Sequence, residues 1–457
     1  MSVSKACAIC HCSMREGAQE RTSQKTCRCR RYIMFYRGTT VVHFFIPAVP
    51  GAFGAGLYCG IWNVIRLSGK LPIAMTFSSK GPSFRLPALR VVSRLSAKLL
   101  STAFMAAAIM AGLSGCMEKP SSVNPSPDIV PEEGHGLFIL CEGTFQAGNS
   151  SLSFYDTEAG EVYNNVFSSA NDGAKLGDTG QSMTLHDGTL WVVVNSSHVI
   201  FAVDHATFKE KGRITSPEMT SPRYMHFVSD GKAYVSQLYD NRILVVDPKT
   251  YSVTGTIETG MEAGSASVEQ MVSCGDYVIA NCWSYQKDLI RIDTRTDKVT
   301  DVLEVGVQPQ SICLDSDGKL WVLTDGGGWA ENPTGYEAPR LVKVDPVKFE
   351  IEETFRLALG DSPSELQTDA SGDNLYFLNG GKVWKMSKDA SSLPSEPYID
   401  FAGSAPYALT VCPWNSDIYV ADAVDYAQNG AVVRYSSDGT VLDEFRTGIC
   451  PGSFCWY

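Results

Sequence analysis

With 457 residues the chain has room for one large domain or two to three ordinary ones, and 10% aromatic residues are too many for a disordered chain. The net charge of -12 is unevenly placed. Residues 1–74 carry ten Lys/Arg against two Asp/Glu, and residues 75–116 five against none; the remaining 23 Lys/Arg and 48 Asp/Glu leave residues 117–457 at -25, which argues against nucleic-acid binding.

The first 74 residues contain Cys7, Cys10, Cys12, Cys27, Cys29 and Cys59. The Cys7-x-x-Cys10 and Cys27-x-Cys29 pairs suggest zinc, but their spacing closes no four-ligand site, and Arg28, Arg30 and Arg31 repel a cation. Residues 38–65 are uncharged yet hold Pro47, Pro50 and five Gly, which argues against a spanning helix. Residues 1–74 therefore read as an upstream extension, arising from a misplaced start or removed later.

Met75 opens a plausible signal peptide. Arg85, Arg90, Arg94 and Lys98 precede seventeen uncharged residues, Leu99 to Gly115. The run ends in Leu113-Ser114-Gly115-Cys116, which resembles a bacterial lipobox. That resemblance implies that residues 75–116 are a lipoprotein signal and that lipid on Cys116 anchors the body to a membrane. A short transmembrane helix is the alternative. Residues 117–134, rich in Pro, Ser and Glu, read as a tether.

From about Leu137 short apolar runs alternate with Gly, Asp, Asn and Ser turns, without helical periodicity. One phrase recurs as Asp187-Gly188-Thr189-Leu190-Trp191-Val192, Asp230-Gly231-Lys232-Ala233-Tyr234-Val235, Asp317-Gly318-Lys319-Leu320-Trp321-Val322 and Gly372-Asp373-Asn374-Leu375-Tyr376-Phe377. Asp-Gly between apolar runs predicts a two-residue hairpin whose turn residues accept positive φ. A second phrase, typified by Val245-Val246-Asp247-Pro248, recurs seven times from Phe154 to Arg434 at spacings of 48, 43, 46, 52, 42 and 49 residues. That period fits four strands per unit, the size of a propeller blade.

The expected fold is all-β: a seven-bladed β-propeller over residues 135–457, with four antiparallel strands per blade. The terminal Pro451-Gly452-Ser453-Phe454-Cys455 matches the start of a unit, as in Pro309-Gln310-Ser311-Ile312-Cys313, whereas the first unit lacks that start. The C-terminal strand is therefore expected to join the N-terminal blade and close the ring. A parallel β-solenoid is the alternative, although it would want shorter, more regular repeats.

In such a ring the loops leading into the innermost strands meet near the axis on one face. The strand starts carry Pro222, Pro309, Pro363, Pro406 and Pro451, where a missing N–H is tolerated. The next positions are Gln181, Arg223, Glu269, Gln310, Ser364, Tyr407 and Gly452; a following ring is Ser182, Tyr224, Gln270, Ser311, Glu365, Ala408 and Ser453. Such rings grip a polar ligand or line a hydrated channel. On the same face, loops between second and third strands carry Phe145, Tyr239, Trp283, Tyr285, Trp329, Tyr336 and Tyr426, and aromatics placed there pack or bind something.

Catalytic signals are thin. His135, His186, His198, His205 and His226 are read at turns or strand ends, outside both rings, and no GxSxG, HExxH or P-loop phrase occurs. Cys141, Cys274, Cys282, Cys313, Cys412, Cys450 and Cys455 read as free thiols; Cys274 and Cys282 flank one hairpin whose register sets residue 274 opposite 277. No D-x-[DN]-x-[DN]-G loop is present, so no metal is expected.

Glu142-Gly143-Thr144-Phe145-Gln146-Ala147-Gly148-Asn149-Ser150, Asn281-Cys282-Trp283-Ser284-Tyr285, Gly335-Tyr336-Glu337-Ala338-Pro339 and Gly448-Ile449-Cys450-Pro451-Gly452 resemble the YncE-like seven-bladed propellers, and among them the BtuG-type surface lipoproteins of Gram-negative gut anaerobes. The resemblance covers about residues 137–457. It implies a lipid-anchored outer-membrane protein, on the cell surface or the periplasmic face, that captures cobalamin and passes it to a TonB-dependent transporter. Loop placement then nominates Gln181, Arg223, Tyr224, Tyr239, Gln270, Trp283 and Tyr285 as ligand contacts, with Gln310, Trp329, Tyr336, Glu365, Tyr407 and Tyr426 on the other blades. No cofactor and no catalysis are expected, the corrinoid being a ligand. Two other classes stay open: a lyase using a His and a Glu near the axis with a metal, and a scaffold for a protein or glycan partner.

Overall fold

The structure, a computed structural model, describes residue 131 and residues 133–261 and 267–457. The expectations for residues 1–130, including the signal segment and Cys116, lie outside the described residues.

Seven antiparallel sheets follow one another along the chain. Blade 1 holds β1 (Gly136–Cys141), β2 (Ser151–Asp156) and β3 (Glu161–Tyr163), followed by the short helix α1 (Val166–Ala170). Blade 2 is β4 (Gly180–His186), β5 (Thr189–Val194), β6 (Val199–Asp204) and β7 (Glu210–Ile214). Blade 3 is β8 (Pro222–Ser229), β9 (Lys232–Gln237), β10 (Arg242–Asp247) and β11 (Ser252–Glu258). Blade 4 is β12 (Val268–Cys274), β13 (Tyr277–Cys282), β14 (Asp288–Asp293) and β15 (Lys298–Glu304). Blade 5 is β16 (Pro309–Leu314), β17 (Leu320–Thr324), β18 (Arg340–Asp345) and β19 (Glu350–Arg356). Blade 6 is β20 (Ser364–Thr368), β21 (Asn374–Asn379) and β22 (Lys382–Ser387). Blade 7 is β23 (Pro406–Val411), β24 (Ile418–Asp422), β25 (Asn429–Tyr435) and β26 (Val441–Ile449), after which β27 (Pro451–Trp456) becomes the innermost strand of blade 1. The innermost strands neighbour one another in ring order, and β27 touches both β4 and β23. The chain is a seven-bladed β-propeller.

The middle strands are buried from end to end because a neighbouring blade covers each face. In β5, Leu190, Val192 and Val194 pack with blade 1, whereas Trp191 and Val193 pack with blade 3. The alternation that points successive side chains to opposite faces therefore feeds two cores at once. Seven such apolar clusters fill the seven junctions between blades.

Two details depart from the sequence reading. Blade 6 has three strands rather than four; its outer position is marked by one bridge, Val383 to Ile399. The segment before Ile399 contains Pro394 and Pro397, which have no N–H to give a ladder. The Asp-Gly hairpins also differ among themselves. Asp187 and Gly188 both take positive φ, 45° and 65°, but at Asp317-Gly318 only the glycine does, and at Asp230-Gly231 neither does. Side chains hold the variant turns: Asp315 Oδ1 accepts the Asp317 and Lys319 amides at 3.0 and 2.8 Å, and its Oδ2 accepts Trp321 Nε1 at 2.8 Å. On the third strands, Asp156 and Asp345 likewise accept the amides of their own following turns.

Closure rests on β27. Leu137 pairs with Trp456, Phe138 with Cys455 and Ile139 with Phe454, while the Gly134 and Gly136 amides donate to the Tyr457 carbonyl at 2.9 and 3.1 Å. Phe454 and Trp456 pack at the blade 7 junction, and Cys455 and Tyr457 at the blade 2 junction. Trp456 Nε1 also donates to Thr410 Oγ1 at 2.9 Å. Deleting residues 451–457 is expected to lower the melting temperature sharply and to cause aggregation on heating, followed by circular dichroism and light scattering. Phe138→Ala, which empties a fully buried site next to Phe154, should cost about 3–5 kcal/mol by denaturant titration.

Candidate functional site

Each innermost strand starts on the face that carries the loops between second and third strands, since Pro222 pairs with Gln237, Pro309 with Thr324 and Pro406 with Asp422. Every one of these strands slips register at its start, between Gly180/Ser182, Pro222/Met225, Val268/Met271, Pro309/Ser311, Ser364/Gln367 and Pro406/Ala408, and opposite Leu140/Cys141 on β1. A bulge of this kind leaves its extra residue outside the ladder and re-aims the side chain. The residues so released are Gln181, Arg223 with Tyr224, Glu269 with Gln270, Gln310, Glu365 with Leu366, Tyr407 and Gly452. The first ring read from the sequence falls in this circle of bulges around the mouth of the channel except at Ser364, which pairs with Leu378, while of the second ring Ser182, Ser311, Ala408 and Ser453 stay in the ladder.

Arg223 is the centre of this circle. Its Nε donates to Glu269 Oε2 at 2.7 Å and its Nη1 to the Gln181 amide oxygen. Burial opposes the guanidinium charge, but the Glu269 and Glu142 carboxylates more than offset it and hold its pKa above the usual range. Burial, reinforced by the Glu269 charge, pushes the Tyr224 phenol well up. Glu269 is only 2% exposed, and its Oε1 has no hydrogen-bond partner.

Blade 1 completes the circle in its own way. Gly452 offers no side chain, and a Cβ there would lie 2.6 Å from Glu142 Oε1. The Glu142 carboxylate, from the β1–β2 loop, fills the vacancy and accepts the Tyr407 hydroxyl at 2.9 Å. Burial and the Glu142 charge together raise the Tyr407 pKa far above its ordinary value. The Tyr407 ring meets Tyr426 edge-on at 5.6 Å.

Several nominated contacts serve the ring itself. Gln270 Oε1 accepts the Ile312 amide at 2.9 Å, Gln310 Oε1 the Glu365 amide at 3.2 Å, and Ser311 Oγ the Leu366 amide at 3.0 Å. Ser182 Oγ donates to the Arg223 carbonyl at 2.6 Å. Each bond ties one innermost strand to the next, satisfying backbone groups on an edge that no strand covers. Trp283 also turns inward: its Nε1 donates to Asp325 Oδ2 at 2.7 Å. Asp325 further accepts the Gly327 amide at 2.7 Å and Gln308 Nε2 at 3.2 Å. Burial nevertheless raises its pKa to about 6 against the pull of those donors.

The remaining aromatics form a rim. Phe145 is 61% exposed and Trp329 43%, with Tyr239, Tyr285 and Tyr336 close behind. Tyr285 meets Trp329 edge-on at 6.4 Å across the blade 4–blade 5 junction. Gln146, Tyr239, Tyr285 and Tyr426 on these loops all have positive φ, between 58° and 66°, at a strain of about 1–3 kcal/mol each. The loops are therefore held in set shapes by their surroundings. The structure thus brings Gln181, Arg223, Tyr224, Gln270, Gln310, Glu365 and Tyr407 to the mouth and leaves Tyr239, Tyr285, Trp329, Tyr336 and Tyr426 on the loops around it. A separate cavity of about 190 Å³, lined by Ser150, Asn165, Phe167 and Leu176, lies between blade 1, α1 and the lead-in to blade 2.

The histidines need one correction. His226 is not at a turn or strand end but is the fifth residue of β8, where its Nε2 lies 2.7 Å from Ser273 Oγ and burial lowers its pKa to about 4. His186 ends β4, stacked 3.9 Å from Phe227. No bulge carries a histidine, and among the described residues no group of three or more His, Cys, Asp or Glu is placed to hold a metal ion. Cys274 lies opposite Tyr277, as the sequence register required, and burial pushes the Cys141 thiol up to about 11. Glu142 and Asp325 were missed by the sequence reading; the glycine at position 452 was the available signal for the first.

Residues 135–438 match a family described as a domain of unknown function, DUF5074. The chain belongs to this family. A search of the curated proteins gives no match. Among solved structures, a quinonprotein alcohol dehydrogenase-like protein from Bacteroides thetaiotaomicron is similar to this DUF5074 chain at 17% identity and a TM-score of 0.54, covering 71% of this chain and 78% of that one. A candidate 6-phosphogluconolactonase from Bacteroides fragilis matches at 13% identity and 0.54, covering 71% and 99%. A protein from Lactobacillus plantarum matches at 13% and 0.53, covering 70% and 98%. At these identities the likeness is one of fold.

Two measurements check the site's energetics. Arg223→Ala leaves Glu269 buried without its partner and should cost about 3–5 kcal/mol, much of it recovered by adding Glu269→Gln. Because the folded pKa of Asp325 lies above the ordinary carboxylate value of 3.8, its contribution to stability is full below about pH 4 and lost as pH rises through 6. That loss is about 3 kcal/mol. Urea midpoints of wild type and Asp325→Asn should therefore shift in the variant's favour between pH 4.5 and 7.5.

Proposed function

We propose that this DUF5074 propeller is a capture protein without catalytic chemistry. Anchored at the outer membrane by lipid on Cys116, it takes cobalamin or a related corrinoid on the loop face and hands it to a TonB-dependent transporter. The observation that carries the reading is the joint placement, on one face, of a fixed polar circle and a rim of half-exposed aromatics. A corrinoid is a large disc fringed with amides. Amide and carboxylate side chains match the fringe, and aromatic rings cover the apolar edges of the disc. Loops already held in strained shapes have little ordering left to lose, which favours tight capture.

The lyase alternative calls for a histidine and a glutamate together near the axis, and the bulges carry glutamates without a histidine, which favours capture. Calorimetry of the protein with cyanocobalamin is expected to give heat at micromolar concentration. Trp329→Ala combined with Tyr336→Ala should weaken binding by about tenfold or more, in line with loss of aromatic anchors. Absence of heat with cyanocobalamin and cobinamide alike would remove the corrinoid reading.

A further inference from the structure

The mouth of the channel has an unusual balance of hydrogen-bonding groups. The Glu269 and Glu142 charges act on the single guanidinium of Arg223, and those of Glu269 and Glu365 on its neighbour Tyr224. Arg223 uses Nε on Glu269 and Nη1 on Gln181, which leaves the Nη2 donors open to a further acceptor. Beside it, Glu269 is 2% exposed with Oε1 unpartnered, a buried acceptor with no donor. Such an atom carries an unrelieved desolvation cost. Unmet donors and an unmet acceptor therefore lie side by side.

One neutral group answers both. A primary carboxamide offers a carbonyl to a guanidinium and an N–H₂ to a carboxylate. The protein already shows half of this pairing, because the group bonded to Arg223 Nη1 is the carboxamide of its own Gln181. A carboxylate in the same place would meet the Glu269 charge directly, with those of Glu142 and Glu365 acting on Arg223 and Tyr224 beside it. An ammonium would meet Arg223 at close range.

We propose that the Arg223 hub reads primary carboxamides and rejects the matching carboxylates, so that among corrinoids the protein takes those whose side arms are amidated. This rests on the corrinoid reading and adds to it which chemical form is taken.

The test compares cyanocobalamin with its three monocarboxylic acids, each made by hydrolysing one propionamide arm, by calorimetry at neutral pH. At least one isomer, the one whose altered arm meets the hub, is expected to bind about tenfold or more weakly, because like charges brought together in a desolvated site are strongly disfavoured. The ratio of amide to acid affinity should shrink by about threefold or more in Glu365→Gln, since one repelling charge is gone. The same ratio should fall in wild type as sodium chloride is raised, which needs no variant to fold. Equal affinity for cyanocobalamin and all three acids overturns the proposal and leaves corrinoid capture standing. A weaker acid whose ratio is unmoved by both Glu365→Gln and salt also overturns it. Silence with cyanocobalamin itself overturns both.

Discussion

The propeller exists because each blade is apolar on both faces and cannot shield itself. Leu190 and Trp191 are adjacent in sequence yet belong to different cores. Every sheet therefore needs a neighbour on each side, and only a closed circle supplies that for all seven. The antiparallel pairing of the terminal strand with β1 converts a row of sheets into a circle, backed by cross-junction bonds such as Tyr155 Oη to Asp443 Oδ2 at 2.7 Å. The stability of each blade is in this way tied to that of all the others.

Closure also dictates what the axis can be. Innermost strands present an edge with no further strand to pair with, and their backbone groups need partners. The chain answers with side chains reaching across each junction, such as Gln270 to Ile312 and Ser311 to Leu366. The bulges that begin these strands free other side chains from that duty. Polar residues at the mouth thus divide into those that bond the backbone of the next strand, such as Gln270 and Gln310, and those that pair through their side chains, such as Arg223 with Glu269 and Tyr407 with Glu142.

The blade count, the period and the role of the last strand were legible because they are properties of repetition. Asp-Gly turns, runs such as Thr189–Val194 and the unmatched start at Pro451 each recur or are conspicuously missing. The three-stranded sixth blade was less legible, since Pro394 and Pro397 disrupt pairing only once their place in the sheet is known. The site was legible by position and not by role. Counting from the prolines found the bulges, yet it gave Trp283 and Gln270 the same standing as Tyr336. Only three-dimensional pairing separates an indole already bonded to Asp325 from a ring standing in solvent. Glu142 escaped because it reaches the circle from a loop more than three hundred residues away in sequence from the glycine whose place it takes.

That glycine has a consequence for assembly. Gly452 sits on β27, and the space it leaves receives a carboxylate from the first blade. The acceptor of the Tyr407 hydroxyl is therefore seated beside the seam between β27 and β1. A chain frayed at that seam would lose one wall of the mouth. The seam and the mouth are thereby one structure, and loosening the first loosens the second.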